Sequence, residues 1–248
     1  MTTVMCLSRT KVKMSELITR MFHEVTRTWS PVVGCEHNCI YCYASDLAEG
    51  RLRHLPRYHD GFKPKLVEQE LTKRFTGGLI FVSNMGDLFG EWVPAEWIYR
   101  VNEAIRRSPK ATFLFLTKNP ARYHNFLDQF PLNVILGATI ESNSDHSGLS
   151  SAPSGSIRAE LMANITPRFS VWPKMVSIEP ILAFDLDPFV KLIARIQPEF
   201  VYIGYDNHKK QLPEPSMEKT KALIAALREF TEVRTKTLRH AWWGRVWN

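Results

Sequence analysis

The sequence predicts an α/β fold, a partial (β/α)6 barrel of the TIM type with parallel strands, and three observations carry that expectation. Short segments rich in Val, Ile and Phe recur along the chain, bounded by Gly, Pro or polar residues, as strands buried on both faces do. Amphipathic segments of helical period separate them, and strands alternating with helices imply right-handed crossovers and a parallel sheet. Six or seven such units within 248 residues exceed what most open sheets use and suit a full or partial barrel.

The strand candidates are 29–33, 79–83, 112–116, 134–140, 175–178 and 200–204, with a seventh around 233–238. Between them, 65–75 places Leu66 and Leu71 inward. Segment 94–106 opens on a proline at the first helical position and aligns Trp97, Ile98, Val101 and Ile105 on one stripe. An Asn-Pro pair opens 119–130, Asp187-Pro188 repeats the device before 189–196, and 215–230 carries Leu223, Ile224 and Leu227 on its apolar face. Segment 141–156, rich in Ser, Asn, Gly and Pro, reads as a loop. It follows a strand directly, so in a barrel it lies at the C-terminal rim, where chemistry occurs. The expected organisation is an extension over 1–25, the barrel over 26–230, and a basic, aromatic segment over 231–248 that packs on the barrel or closes it.

The 44% apolar and 23% charged composition is that of a globular protein. Nothing approaches the roughly 18–20 apolar residues of a membrane span. Arg9, Lys11 and Lys13 have no apolar run behind them, so a secretory leader is not expected and a cytoplasmic protein is. The formal charge of +7 fits an anionic partner such as a nucleic acid, and fits equally a basic soluble surface. Of four cysteines, three lie within eight residues and Cys6 stands apart, which points to metal or redox chemistry rather than a disulfide framework.

The cluster reads Gly34-Cys35-Glu36-His37-Asn38-Cys39-Ile40-Tyr41-Cys42. Thiolates at spacings of three and two residues converge when the chain wraps a metal centre, and soft sulfur favours an iron–sulfur cluster or zinc. A 4Fe–4S cluster on three cysteines leaves one iron open to a small molecule. Zinc asks for a fourth protein ligand, for which His37 is the nearest candidate, although its place inside the three-residue gap is cramped.

The spacing Cys-x3-Cys-x2-Cys, with Tyr41 before the last cysteine, resembles the signature of the radical S-adenosylmethionine superfamily. The string Thr28-Trp29-Ser30-Pro31-Val32-Val33-Gly34-Cys35, with Cys42-Tyr43-Ala44, resembles more specifically a phage-associated family of uncharacterised radical enzymes. So do, in order, Ser83-Asn84-Met85-Gly86-Asp87-Leu88-Phe89, Leu116-Thr117-Lys118-Asn119-Pro120, Gly137-Ala138-Thr139-Ile140-Glu141 and Ser177-Ile178-Glu179-Pro180. Where that family has Gly-Gly-Glu after the sixth strand, this chain has Gly204-Tyr205-Asp206-Asn207.

The resemblance implies a cluster loop after the first strand, with the 4Fe–4S cluster on Cys35, Cys39 and Cys42. It implies S-adenosylmethionine on the open iron, a flavodoxin- or ferredoxin-like electron donor, and hydrogen abstraction from a substrate. It places Tyr41 near the adenine, Ser83, Asn84 and Asp87 near the methionyl amino group, Thr117 and Lys118 near a carboxylate or phosphate, and Thr139, Glu141 and Asn143 near the ribose. Glu179 and Tyr205 are candidate catalytic residues, Tyr205 as a hydrogen-atom relay, with Asp206 and His208 as further substrate contacts. Cys6 reads as structural, with a radical role still open.

Two stretches interleave basic and aromatic residues, 51–59 and 234–247, and suit phosphates and stacked bases. For Trp242 and Trp243 the competing expectation is a plug closing the barrel's open side. Two other functions remain in view: a non-catalytic nucleic-acid-binding protein with a structural zinc or iron–sulfur site, and a radical enzyme that modifies peptides.

Overall fold

In the computed structural model, which describes residues 22–165 and 171–244, seven parallel strands form one curled half-barrel sheet. They are β1 (Val25–Trp29), β4 (Leu79–Val82), β5 (Thr112–Thr117), β6 (Val134–Thr139), β7 (Lys174–Ile178), β8 (Phe200–Ile203) and β9 (Glu232–Thr235), adjacent in that order. A two-stranded antiparallel ribbon pairs β2 (Val32–Val33) with β3 (Lys65–Leu66). The helices are α1 (Tyr43–Glu49), α2 (Ala95–Arg106), α3 (Gly155–Ala163), α4 (Leu186–Ile196) and α5 (Met217–Arg228). Among the described residues no helix is long and apolar enough to cross a membrane.

The main core lies between the sheet and its helices. It joins Ile80, Phe113, Leu136, Val176 and Val201 of the strands to Ile98, Ile193 and Leu223 of the helices. The other strand parity builds a smaller cluster of Phe22, Val25, Phe81, Leu114, Met175, Phe200 and Tyr202, which contains no helical residue and fills the concave side.

Several expected elements take another form. Pro31 splits the first strand into β1 and β2; it has no N–H to donate, and its carbonyl accepts from Val67 N. The helix expected over 65–75 is β3 followed by a short 3-10 turn, Glu68–Thr72, held by the Trp29 indole N–H on the Glu70 carbonyl at 3.0 Å. Segment 119–130 forms two 3-10 turns; Asn119 makes no capping bond, and its side-chain amide donates to the Phe89 carbonyl at 3.0 Å. Helix α3 begins inside the expected loop, where Ser154 Oγ accepts from Ile157 N as an N-cap. The seventh strand is real, so the half-barrel has one strand more than six.

Gly34, at the start of the cysteine loop, has φ +83°, and a Cβ there would lie 2.2 Å from the Lys63 carbonyl oxygen. Gly61 has a similar φ of +81° with open space around it. Urea unfolding is expected to show a loss of about 1 kcal/mol for Gly61→Ala, the backbone term alone. Gly34→Ala should lose at least about 3 kcal/mol, because backbone rather than a flexible side chain must move. Equal losses would show that the cysteine loop tolerates a shift against residue 63.

Candidate functional site

Strand parity decides which side chains reach the concave face above its apolar floor. Two residues beyond Phe81, Tyr202 and Arg234, the same parity delivers Ser83, Gly204 and Lys236. Beyond Leu116, Thr139 and Ser177 it delivers Lys118, Glu141 and Glu179. The C-terminal rim of the sheet therefore carries a polar ring over a hydrophobic floor, as barrel chemistry requires. The cysteine loop, between β2 and α1, joins this rim.

Each thiol is half-buried and free of disulfide pairing. Cys39 Sγ lies 3.1 Å from Ser150 Oγ, and Cys42 caps α1, its Sγ accepting from Ser45 N at 3.4 Å. Burial pushes the Cys35 thiol up, and the charges of Asp87, Cys39 and Cys42 add to the shift, so the three sulfurs are close enough to oppose one another's ionisation. Burial likewise raises Cys42. Such thiols become thiolates when a metal centre supplies compensating positive charge. Among the described residues no three His, Cys, Asp or Glu side chains are grouped to hold a single metal ion. Convergence on one ion is what zinc needs, whereas a 4Fe–4S cluster takes each thiolate on a different iron. The three thiols, with no fourth cysteine among the described residues, fit such a cluster.

The loop is held by its non-cysteine residues. His37, expected as a possible zinc ligand, is buried with Nε2 on Asp87 Oδ2 at 2.9 Å and its ring edge-on to Trp92. Its carbonyl accepts from Ser151 N and Ser150 Oγ. Asp87 also accepts from Phe89 N, Thr117 Oγ1 and Lys118 N. Burial acts to raise its carboxyl, but His37 and these donors outweigh burial and hold it below the ordinary range. Asp87 and Thr117 thus bind the cysteine loop and the rim to each other.

Tyr41, Lys118, Glu141 and Arg158 form one buried network. Tyr41 Oη donates to Glu141 Oε1 at 2.8 Å, Lys118 Nζ bonds both Tyr41 Oη and Glu141 Oε1, and Arg158 Nη2 meets Glu141 Oε2 at 2.7 Å. Burial acts to raise the Glu141 carboxyl, but Lys118 and then Arg158 hold it well below the carboxylate range. Lys118, which burial acts to lower, is raised by Glu141 and Tyr41. Beside this network Ser83 has φ +55° and a buried Oγ with no partner among the described residues. A left-handed serine with an unmet hydroxyl, facing the concave side, marks a place for a ligand.

Elsewhere on the rim, Asn84 Oδ1 accepts from Ser30 Oγ, and Asn143 Oδ1 accepts from Asp185 N. Thr139 is buried below Glu141, its carbonyl bonded by Arg158. Glu179 pairs with Lys236 at 2.6 Å, yet burial keeps its carboxyl raised. Asp206 closes a turn by accepting from His208 N and Lys210 N.

Tyr205 is a correction. Parity turns it to the helical side, where its hydroxyl bonds Thr220 Oγ1 of α5 and the Pro215 carbonyl, away from the concave face and the relay expected of it. The plug expected of Trp242 and Trp243 is another, since they are 44% and 52% exposed with their indole N–H groups on the Leu212 and Glu214 carbonyls. Arg51, Arg53, His54 and His59 are exposed beyond α1. Cys6 lies outside the described residues, as do Arg245 and Trp247.

Sequence reasoning missed Arg158, whose helix it did not find, and Lys236 as a rim residue. The Ser-x-x-x-Arg spacing after Ser154 and the alternation in β9 were the available signals.

A family model described as "Protein of unknown function (DUF5131)" matches residues 21–187. No curated protein matches the chain. Solved structures of spore photoproduct lyase share the fold. A cysteine-to-serine variant is 11% identical with a TM-score of 0.61, over 84% of this chain and 76% of that one. A tyrosine-to-phenylalanine variant gives 10% and 0.57, over 84% and 75%. A doubly substituted form with bound AdoMet and dinucleoside spore photoproduct gives 12% and 0.53, over 82% and 61%.

Glu141 carries the pH dependence of the network. Its folded pKa is depressed, so its stabilisation is complete above the unfolded carboxyl value of 4.5 and is lost as pH falls below it. Glu141→Gln leaves Lys118 and Arg158 without their anion and should cost about 3–5 kcal/mol at neutral pH. Between pH 6 and about pH 3 the variant's urea midpoint should fall less steeply than the wild type's. Parallel curves would remove Glu141 from the acid response.

Proposed function

The chain belongs to the DUF5131 family, and we propose that it is a radical S-adenosylmethionine enzyme holding a 4Fe–4S cluster on Cys35, Cys39 and Cys42. One observation carries the reading: three mutually close, half-buried thiols stand at the C-terminal rim of a half-barrel, beside a polar concave face and an unpartnered Ser83 hydroxyl. When bound, the cluster supplies an electron to the sulfonium of S-adenosylmethionine, releasing methionine and a 5′-deoxyadenosyl radical. The motif resemblance to the phage-associated radical enzymes supports this, and one structure of like fold carries AdoMet.

The chain's own residues bind, orient and exclude water. His37 and Asp87 fix the thiol loop against β4 and β5. Ser83 and Asn84 stand where the methionyl group is received, and Tyr41, Lys118, Thr139, Glu141 and Asn143 form the wall on the nucleoside side. Because Lys118 and Arg158 share the one Glu141 carboxylate, this wall keeps a net positive charge, and its groups are fixed before a ligand arrives. The apolar floor keeps water from the concave side.

The substrate in this reading is anionic, a nucleic acid or nucleotide. The formal charge of +7, the exposed Arg51, Arg53, His54 and His59, and the half-exposed Trp242 and Trp243 support it. A flavodoxin- or ferredoxin-like donor supplies the electron, and an oxygen-labile cluster suits the reducing cytoplasm.

Anaerobic reconstitution with iron and sulfide should give a brown protein with about four irons per chain. Reduction with S-adenosylmethionine present should then yield 5′-deoxyadenosine. Replacing any of the three cysteines by alanine should abolish both the cluster absorbance and the product. One zinc per chain, with no colour and no product, would instead favour a non-catalytic nucleic-acid-binding protein.

A further inference from the structure

The concave face holds a second ion pair, separate from the Tyr41–Lys118–Glu141–Arg158 network. Glu179 follows β7 and Lys236 follows β9, so the pair must reach across β8, roughly 9–10 Å of sheet at the usual strand spacing. It does so over Gly204, where a Cβ would lie 3.1 Å from Glu179 Oε1 and 3.2 Å from Lys236 Cβ. One inward step toward the floor on the same strand is Tyr202, 1% exposed, with a hydroxyl that has no partner among the described residues. Tyr43 and His208 stand near Glu179, their rings 14° from parallel.

We propose that Glu179, Lys236 and Tyr202 are the substrate-recognising subsite, and that they take the imide edge of a nucleobase, an N–H flanked by two carbonyls. The proposal rests on the radical-enzyme reading for the reaction but not for the binding. The donor count selects the ligand class. Glu179 offers an acceptor, while Lys236 and the Tyr202 hydroxyl offer donors, which matches one N–H and two C=O groups. A phosphate at the same place would meet the Glu179 carboxylate, since Lys236 is already neutralised by it. The Tyr43 and His208 rings, stacked with centroids 6.2 Å apart, put aromatic surface near the pair for a planar ligand. An imide edge is exposed only in an unpaired base, so the ligand is single-stranded or has its base turned out of a duplex.

Fluorescence anisotropy of the full chain with a labelled single-stranded thymidine oligonucleotide, and with the same oligonucleotide methylated at N3, tests the subsite. The two probes present the same phosphates, so their difference isolates the base edge. Methylation should weaken wild-type binding about tenfold. The double variant Glu179→Gln/Lys236→Met removes both charges with little change in volume, and Tyr202→Phe removes the hydroxyl alone. In the double variant the two probes should bind within about twofold of each other, with Tyr202→Phe intermediate and thermal unfolding near wild type.

A wild type that binds both probes alike, or a double variant that still separates them, overturns the subsite. So does a double variant whose only defect is a raised KM for S-adenosylmethionine in 5′-deoxyadenosine formation, because the pair would then belong to the cofactor. Intact discrimination without 5′-deoxyadenosine from the wild type supports the subsite and overturns the catalytic reading alone.

Discussion

The arrangement of the rim depends on one buried carboxylate. Asp87 is fully enclosed, and its two oxygens receive His37 from the thiol loop, Phe89 N from its own turn, and Thr117 Oγ1 and Lys118 N from the end of β5. A buried charge persists only when such donors replace water, so removing one donor disturbs the others. The thiol loop has no regular ladder beyond the single Gly34–Gly86 bridge. Its position relative to the sheet is therefore set by this carboxylate and by the close approach of those two glycines, where a Cβ on Gly86 would lie 2.7 Å from the Gly34 carbonyl.

Beyond Asp87 the charges divide between the two sides of the concave face. On the Tyr41 side, one carboxylate is shared by a lysine and an arginine, each within hydrogen-bond reach. On the far side, one carboxylate meets one lysine across a glycine, and burial still raises that carboxyl. The first group is satisfied by the chain and forms a wall. The second keeps acceptor and donor capacity beside an unmet tyrosine hydroxyl. In the proposed reading that difference in saturation, more than proximity to the thiols, is what puts cofactor and substrate on opposite sides.

The sequence made the parallel α/β plan legible because strands covered on both faces leave continuous apolar runs, and β4 to β8 all fall within or beside the segments so read. The three thiols were legible because their spacing is itself the signal. Segment 65–75 was misread because Leu66 and Leu71 suit one helix face, and 119–130 because Asn119-Pro120 has the form of a helix start, while tertiary bonds at Glu70 and Asn119 accompany short 3-10 turns. Tyr205 was misassigned because proximity to a strand end does not decide direction. Parity does, and it becomes fixed only once Phe200 and Tyr202 are seen to face the floor. Arg158 was invisible without α3, since nothing in the chain before it links residue 158 to residue 141.

The segment after β8, where the chain departs from the pattern it otherwise resembles, is also where its structure is least generic. Gly204 is retained, while the next positions carry Tyr205, which leaves the concave face for α5, and Asp206, which is spent on the turn to Lys210. Lys210 then meets Asp46 of α1 at 2.8 Å, and His208 lies parallel to Tyr43, one residue past the last thiol. The departing segment thus folds onto the helix that Cys42 caps. With the carboxylate of a Gly-Gly-Glu pattern absent from this strand end, the acceptor on this side comes from Glu179 on the preceding strand, and its cation from a strand beyond the sixth. A seventh strand is therefore more than an edge cover: it is the element that supplies Lys236, and Gly204 is the residue that lets the two meet.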